Sequence, residues 1–166
     1  MTIIRNPTGV FGRRGKMIAT RSDQTSQQFR AMVFDYFEHK GIGLKRGLTL
    51  IIGAASFKRP HVFDFGSETH RLIIECKSNS WAKDGTVPRS KLMTYNAIMY
   101  YFLLAPADFR KLLALRRVVR TGQTLGQYYV LHYRHLIPYG VELWEFEQDT
   151  GLGFCLYGPC CPEVVF

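Results

Sequence analysis

The chain is predicted to be an α/β protein, a mixed central sheet flanked by helices. Apolar residues recur at helical spacing in Phe29, Met32, Val33, Tyr36 and Phe37. Three β-prone runs follow, then a second helical segment from Ser90 to Leu104, and β-prone runs return near the C-terminus. A length of 166 residues with 46% hydrophobic content suits one domain with a core of its own.

Taken in order, residues 1–21 are basic, contain no Asp or Glu, and carry Gly9, Gly12 and Gly15. They read as an irregular N-terminal arm, and 22–166 as a single domain. Ser22 is placed to cap a helix over about residues 23–40, which Gly41 stops. Leu48 to Ala54 is β-prone, and two further strands follow at about 61–67 and 71–78. A polar connection leads to Ser90, which is expected to cap the second helix; Leu92, Met93, Ala97, Tyr100, Tyr101 and Leu104 form its apolar stripe and Pro106 breaks it. Ala107 to Arg117 reads as a short basic helix. Tyr128–His135 and Val141–Phe146 read as strands separated by Pro138 and Gly140, and Phe154–Tyr157 as one more.

Lys and Arg number 22 against 13 Asp and Glu, a formal charge of +9. A small domain this basic attracts polyanions, and nucleic acid is the commonest of them. No secretory pattern is visible, and the longest apolar stretch, Ile98 to Ala107, is too short to span a bilayer. The expectation is a soluble, cytoplasmic protein without a membrane partner. Of the four cysteines, Cys76 alternates inward on a core strand, while Cys155, Cys160 and Cys161 lie in the C-terminal tail. Zinc on these three with His132 and His135 is disfavoured by the spacing, and a disulfide scaffold by the absence of an export signal.

The chemistry concentrates in Phe63-Asp64-Phe65 and, eleven positions after Asp64, Glu75-Cys76-Lys77. Charged groups within otherwise apolar strands must be paired, metal-bound or put to use. Side chains two apart share a face, so Glu75 and Lys77 project together and Cys76 points away. With Glu68 to Arg71 as the hairpin turn, Asp64 falls opposite Glu75, and Phe63 and Phe65 flank it in one alternation. Two carboxylates so placed can share one hard cation. The competing reading is a cross-strand ion-pair network with Lys77 or Arg71.

These residues and the element order resemble the PD-(D/E)XK nuclease superfamily. The resemblance covers about residues 22–135 and implies a restriction-endonuclease-like α-β-β-β-α-β core. It further implies a metal-dependent endonuclease that hydrolyses DNA phosphodiester bonds. Asp64 and Glu75 would bind Mg²⁺, or Mn²⁺ in its place, with the Cys76 carbonyl as a third ligand. Lys77 would orient or activate the attacking water. Phe63 stands where many members carry proline. Gln24, Gln27 and Gln28 are the candidates for an added first-helix ligand, and Asn96 with Tyr100 stands at the spacing of a Gln-x-x-x-Tyr pair.

Trp81, Lys83 and Lys91 are further candidates for binding nucleic acid, as are Asn96, Arg116 and Arg117. The cationic set Arg110, Lys111, Arg116, Arg117 and Arg120 would form a DNA-facing surface or an ordinary exposed helix face. A homodimer would let two copies share recognition. The alternatives are a non-catalytic nucleic-acid-binding module on the same fold, a ribonuclease, and a structural protein with an ion-pair hairpin.

Overall fold

The computed structural model describes residues 21–161. The basic arm expected over 1–21 lies outside the described residues, apart from Arg21, which opens the first helix. Six strands form one mixed sheet, in the spatial order Lys45–Ile52, Arg59–Ser67, Leu72–Lys77, Arg110–Arg116, Val141–Phe146 and Gly153–Tyr157. In chain order the elements are α1 (Arg21–His39), β1 (Lys45–Ile52), β2 (Arg59–Ser67), β3 (Leu72–Lys77), α2 (Arg89–Leu104) and β4 (Arg110–Arg116). A two-residue pair follows, β5 (Val119–Arg120) and β6 (Gln123–Thr124). Then come α3 (Leu125–Tyr133), a 3-10 turn (Arg134–Leu136), β7 (Val141–Phe146) and β8 (Gly153–Tyr157). Among the described residues no helix is long and apolar enough to cross a membrane.

The sheet separates two apolar clusters. Phe29, Val33 and Phe37 of α1 pack with Phe65, Leu72, Ile74, Cys76, Leu112, Ala114 and Phe146 on one face. On the other, Leu92, Tyr95, Ile98, Met99 and Phe102 of α2 join Tyr129 and Val130 of α3 over Ile73, Leu113, Leu115 and Leu143. Strands β3, β4 and β7 run parallel. Each crossover between them carries a helix, and stepping the same way twice along the sheet puts α2 and α3 on the same face.

Several expectations are corrected here. Ala107–Arg117 is not a helix: residues Arg110–Arg116 form β4, the strand between β3 and β7. A parallel strand buried on both sides reads as a continuous apolar run, and Leu and Ala there mimic a helix. Tyr128–His135 is not a strand but belongs to α3 and the 3-10 turn. The deciding signal is a capping box, in which Thr124 accepts from the Gln127 amide and the Gln127 side chain accepts from the Thr124 amide. The stripe on α2 is rotated: Leu92, Tyr95, Ile98, Met99 and Phe102 are buried, while Met93, Tyr100 and Tyr101 are exposed. That helix begins at Arg89 behind Pro88, with no side-chain cap from Ser90. Ser22 lies within the described span of α1.

Gly66 of β2 sits against two neighbours, and a Cβ there would lie 2.8 Å from the Leu72 carbonyl oxygen and meet the Leu48 side chain. The carbonyl is backbone and cannot yield easily, so Gly66→Ala is expected to destabilise the fold by about 1–3 kcal/mol. Urea unfolding should show a lowered midpoint at unchanged m-value; an unchanged midpoint would contradict the packing described.

Candidate active site

Glu68–Arg71 forms the turn between β2 and β3, as the sequence suggests, and Ser67 pairs with Leu72, Gly66 with Ile73 and Phe65 with Ile74. The ladder stops at that pair. Asp64 would be next opposite Glu75, but its Oδ2 instead accepts the Cys76 amide at 2.8 Å. A carboxylate thus replaces a backbone carbonyl as acceptor, and β2 and β3 part beyond it. Phe63 and Phe65 do not share a face as expected: Phe63 packs in the α2 cluster and Phe65 in the α1 cluster. Between the pairs Arg46–Phe65 and Leu48–Phe63, β1 carries Gly47 at φ +67°, a conformation that side chains disfavour. The local irregularity rotates β2 at Asp64.

Asp64 Oδ1 lies 3.1 Å from the Arg30 guanidinium of α1. Glu75 Oε2 lies 3.3 Å from Lys77 Nζ, and its Oε1 3.8 Å from His61 Nε2. Two carboxylates and two cations therefore meet at the carboxyl end of β3. Burial, then the nearby Asp64 charge, raises the Glu75 carboxyl from 4.5 to about 7, against the opposing pull of Lys77 and Arg30. Burial lowers the His61 pKa, and its ring lies against Tyr101 and Phe63 at centroid distances of 4.2 and 4.7 Å.

The donor set suits a hard divalent cation, because carboxylate oxygens are the ligands Mg²⁺ prefers and their repulsion is relieved by a shared positive charge. Arg30 and Lys77 already hold part of that role, so a cation would compete with Arg30 for Asp64. The Cys76 side chain is buried among Phe29, Phe65 and Ile74, leaving only its backbone to face the site. Burial first, then Asp64 and Glu75, pushes its thiol pKa well up, so it takes no part as a thiolate.

The other sequence candidates are dispersed. Trp81 is partly buried against the core beside Tyr128, with its Nε1 buried and without a hydrogen-bond partner. Lys83 and Lys91 are exposed, Lys91 in the first turn of α2. Asn96 accepts from the Tyr129 hydroxyl at 2.9 Å and so braces α2 against α3, while Tyr100 faces outward. Gln24, Gln27 and Gln28 are exposed on α1. The basic residues of 110–120 do not form one helical face. Arg110 pairs bidentately with Glu142, Arg117 with Glu145 at 3.0 Å, and Arg120 donates to the Ala82 carbonyl. Arg116 is half-buried, with its Nε lacking a partner, and Arg71 pairs with Asp108 rather than with the site.

Sequence reasoning missed Arg30 and His61. Arg30 is one helical turn from Ser26, whose hydroxyl meets that of Ser78 at 2.8 Å. That contact draws the start of α1 over the end of β3, and only tertiary packing reveals it. His61 precedes Asp64 on β2, but the rotation of the strand hides its approach to Glu75. Comparison with protein-family models, with curated proteins and with solved structures finds no match.

The raised Glu75 pKa has a stability consequence of definite sign. Between 4.5 and about 7 the folded chain binds a proton at Glu75 that the unfolded chain releases. Stability from this group is therefore full below 4.5 and is lost as pH rises through 7, by on the order of 1–3 kcal/mol. In chelator, urea unfolding of wild type and Glu75→Gln should show the variant gaining on wild type across that interval. Wild type gaining on the variant instead would contradict the assignment.

Proposed function

We propose that the protein is a Mg²⁺-dependent endonuclease that hydrolyses DNA phosphodiester bonds, on a restriction-endonuclease-like core. The observation that carries this reading is the convergence of Asp64 and Glu75 where β2 and β3 part, with Lys77 beside them. The element order α1-β1-β2-β3-α2-β4 supports the core assignment. The site also lies at the carboxyl ends of parallel strands, where open α/β sheets commonly bind ligands.

Asp64 and Glu75 would hold the ion, with the Cys76 carbonyl as a further donor. A bound Mg²⁺, or Mn²⁺, supplies Lewis acidity and lowers the pKa of its water. Glu75, whose carboxyl is raised by burial to about 7, would bind the ion as the carboxylate and release its proton to water. Lys77, fixed on the same face of β3 as Glu75, orients or activates the attacking water or stabilises the developing charge. Arg30, which now pairs with Asp64, would be free to donate to a phosphate oxygen once the ion neutralised that carboxylate.

DNA as substrate is supported by the formal charge of +9 and by the β1–β2 hairpin. At its tip, toward the same end of the sheet as the site, Phe57, Lys58 and Arg59 are all exposed, Phe57 by 88%. An exposed ring beside two cations suits stacking on a base with phosphate contacts alongside.

The non-catalytic module is the second reading, because Arg30–Asp64 and Lys77–Glu75 neutralise the carboxylates without a metal. One assay separates the readings: plasmid DNA, single-stranded DNA and RNA are incubated with Mg²⁺ or Mn²⁺. Wild type is expected to cut DNA, and Asp64→Ala and Lys77→Ala to lose cleavage by at least about 100-fold while still binding it. Binding without cleavage of any substrate by wild type would instead support the module, and cleavage of RNA alone a ribonuclease.

A further inference from the structure

The C-terminal cysteines, which the proposed active site does not use, form a cluster at the far edge of the sheet. Cys155 lies in β8, and Cys160 and Cys161 close the turn that follows it. The three sulfur atoms all lie within 4.8 Å of one another. Zinc–thiolate bonds of about 2.3 Å set neighbouring sulfurs of a tetrahedral site roughly 3.8 Å apart, so little movement separates this cluster from a coordination shell. Cys155 and Cys160 are joined as a disulfide, contrary to the sequence expectation, and Cys161 is a free, half-buried thiol.

The loop that carries them is held independently of the sulfurs. The Cys161 amide donates to the Gly158 carbonyl at 3.0 Å. Gly158 has φ +119°, and a Cβ there would lie 2.7 Å from the Val141 carbonyl, so only glycine lets the turn approach β7 this closely. A turn fixed by its backbone presents its ligands already gathered, which lowers the ordering cost of binding an ion.

We propose that Cys155, Cys160 and Cys161 form a redox-gated site for Zn²⁺, with three thiolates and a fourth position left to water. Soft thiolates select thiophilic cations such as Zn²⁺ over Mg²⁺, so the two metal sites in the chain would not compete for one ion. In the oxidised form the disulfide removes two ligands. Two equivalents of a small monothiol reduce it, becoming their own disulfide while Cys155 and Cys160 each receive a proton. Zn²⁺ then displaces one proton from each of the three thiols to water. Strands β4 and β7 lie between β3 and β8, roughly 14 Å at the usual spacing, so the ion lies apart from the Asp64–Glu75 site and ties the end of β8 to the turn over β7.

The test uses the full chain, reduced and freed of reductant without air, and titrated with Cd²⁺ as spectroscopic probe and with Zn²⁺. Reduced wild type should bind one ion per chain that carries a thiolate-to-Cd²⁺ charge-transfer band, and the oxidised protein should show no such band. Cys161→Ser should weaken binding by at least about 100-fold, since losing an outer-shell partner alone costs about 10–100-fold. Cys76→Ser, in the core, should leave it unchanged. Zn²⁺ should also shield the three thiols of reduced wild type from an aromatic disulfide reagent, a readout that needs no variant to fold. Equal affinity in Cys161→Ser or in the oxidised protein, or thiols that stay reactive under Zn²⁺, would overturn the proposal. None of these outcomes depends on whether the protein cuts DNA.

Discussion

The hydrogen bond from the Cys76 amide to the Asp64 carboxylate is the constraint on which the rest of the site depends. A strand that ended its ladder without replacing the lost acceptor would leave a buried amide unsatisfied, at a cost of about 1–3 kcal/mol. Asp64 removes that cost and in the same act fixes its own carboxylate beside Glu75. The opening of the hairpin and the meeting of two acids are thus one event. Arg30 and Lys77 then limit the repulsion that remains, and the Glu75 pKa is raised by burial first and then by the part of that repulsion they leave uncompensated.

The remaining architecture holds this opening steady. Phe63 and Phe65 anchor β2 into opposite clusters on either side of Asp64. Such an anchor resists rotation in both directions, and Gly47 in the neighbouring strand absorbs the distortion. Two strands away, on the same face of the sheet as Glu75, Glu145 shows the contrasting case. It too is buried with a raised pKa, but it pairs with Arg117 near the start of α3 and is flanked by helix and core. These two buried acids are therefore not alike: Glu145 is enclosed with its counter-ion, and Glu75 shares a partly open wedge with a second acid.

The strands around the site were legible in the sequence because the β2–β3 hairpin is local: alternation, a polar turn and charged interruptions lie within a short span. The placement of Glu75 and Lys77 on one face follows from the pleat alone. The behaviour of β4 was not legible, since a strand flanked on both sides carries no alternation and its leucines favour helix equally well. Helix α3 was hidden by its aromatic residues, although the Thr124–Gln127 box was present to be read. Arg30 and His61 could not be found, because their approach to the acids depends on how α1 lies across the sheet and on the rotation at Asp64. The dispersal of the 110–120 cations follows from the same error as β4, for a strand sends neighbouring arginines to opposite faces.

The central claim, that Asp64 and Glu75 together hold one divalent cation, is tested most directly by anomalous diffraction from crystals grown with Mn²⁺. A single strong anomalous peak is expected between the two carboxylates, with Arg30 moved off Asp64. Crystals in which Mn²⁺ leaves that wedge empty, with the Arg30–Asp64 and Lys77–Glu75 pairs intact, would contradict it.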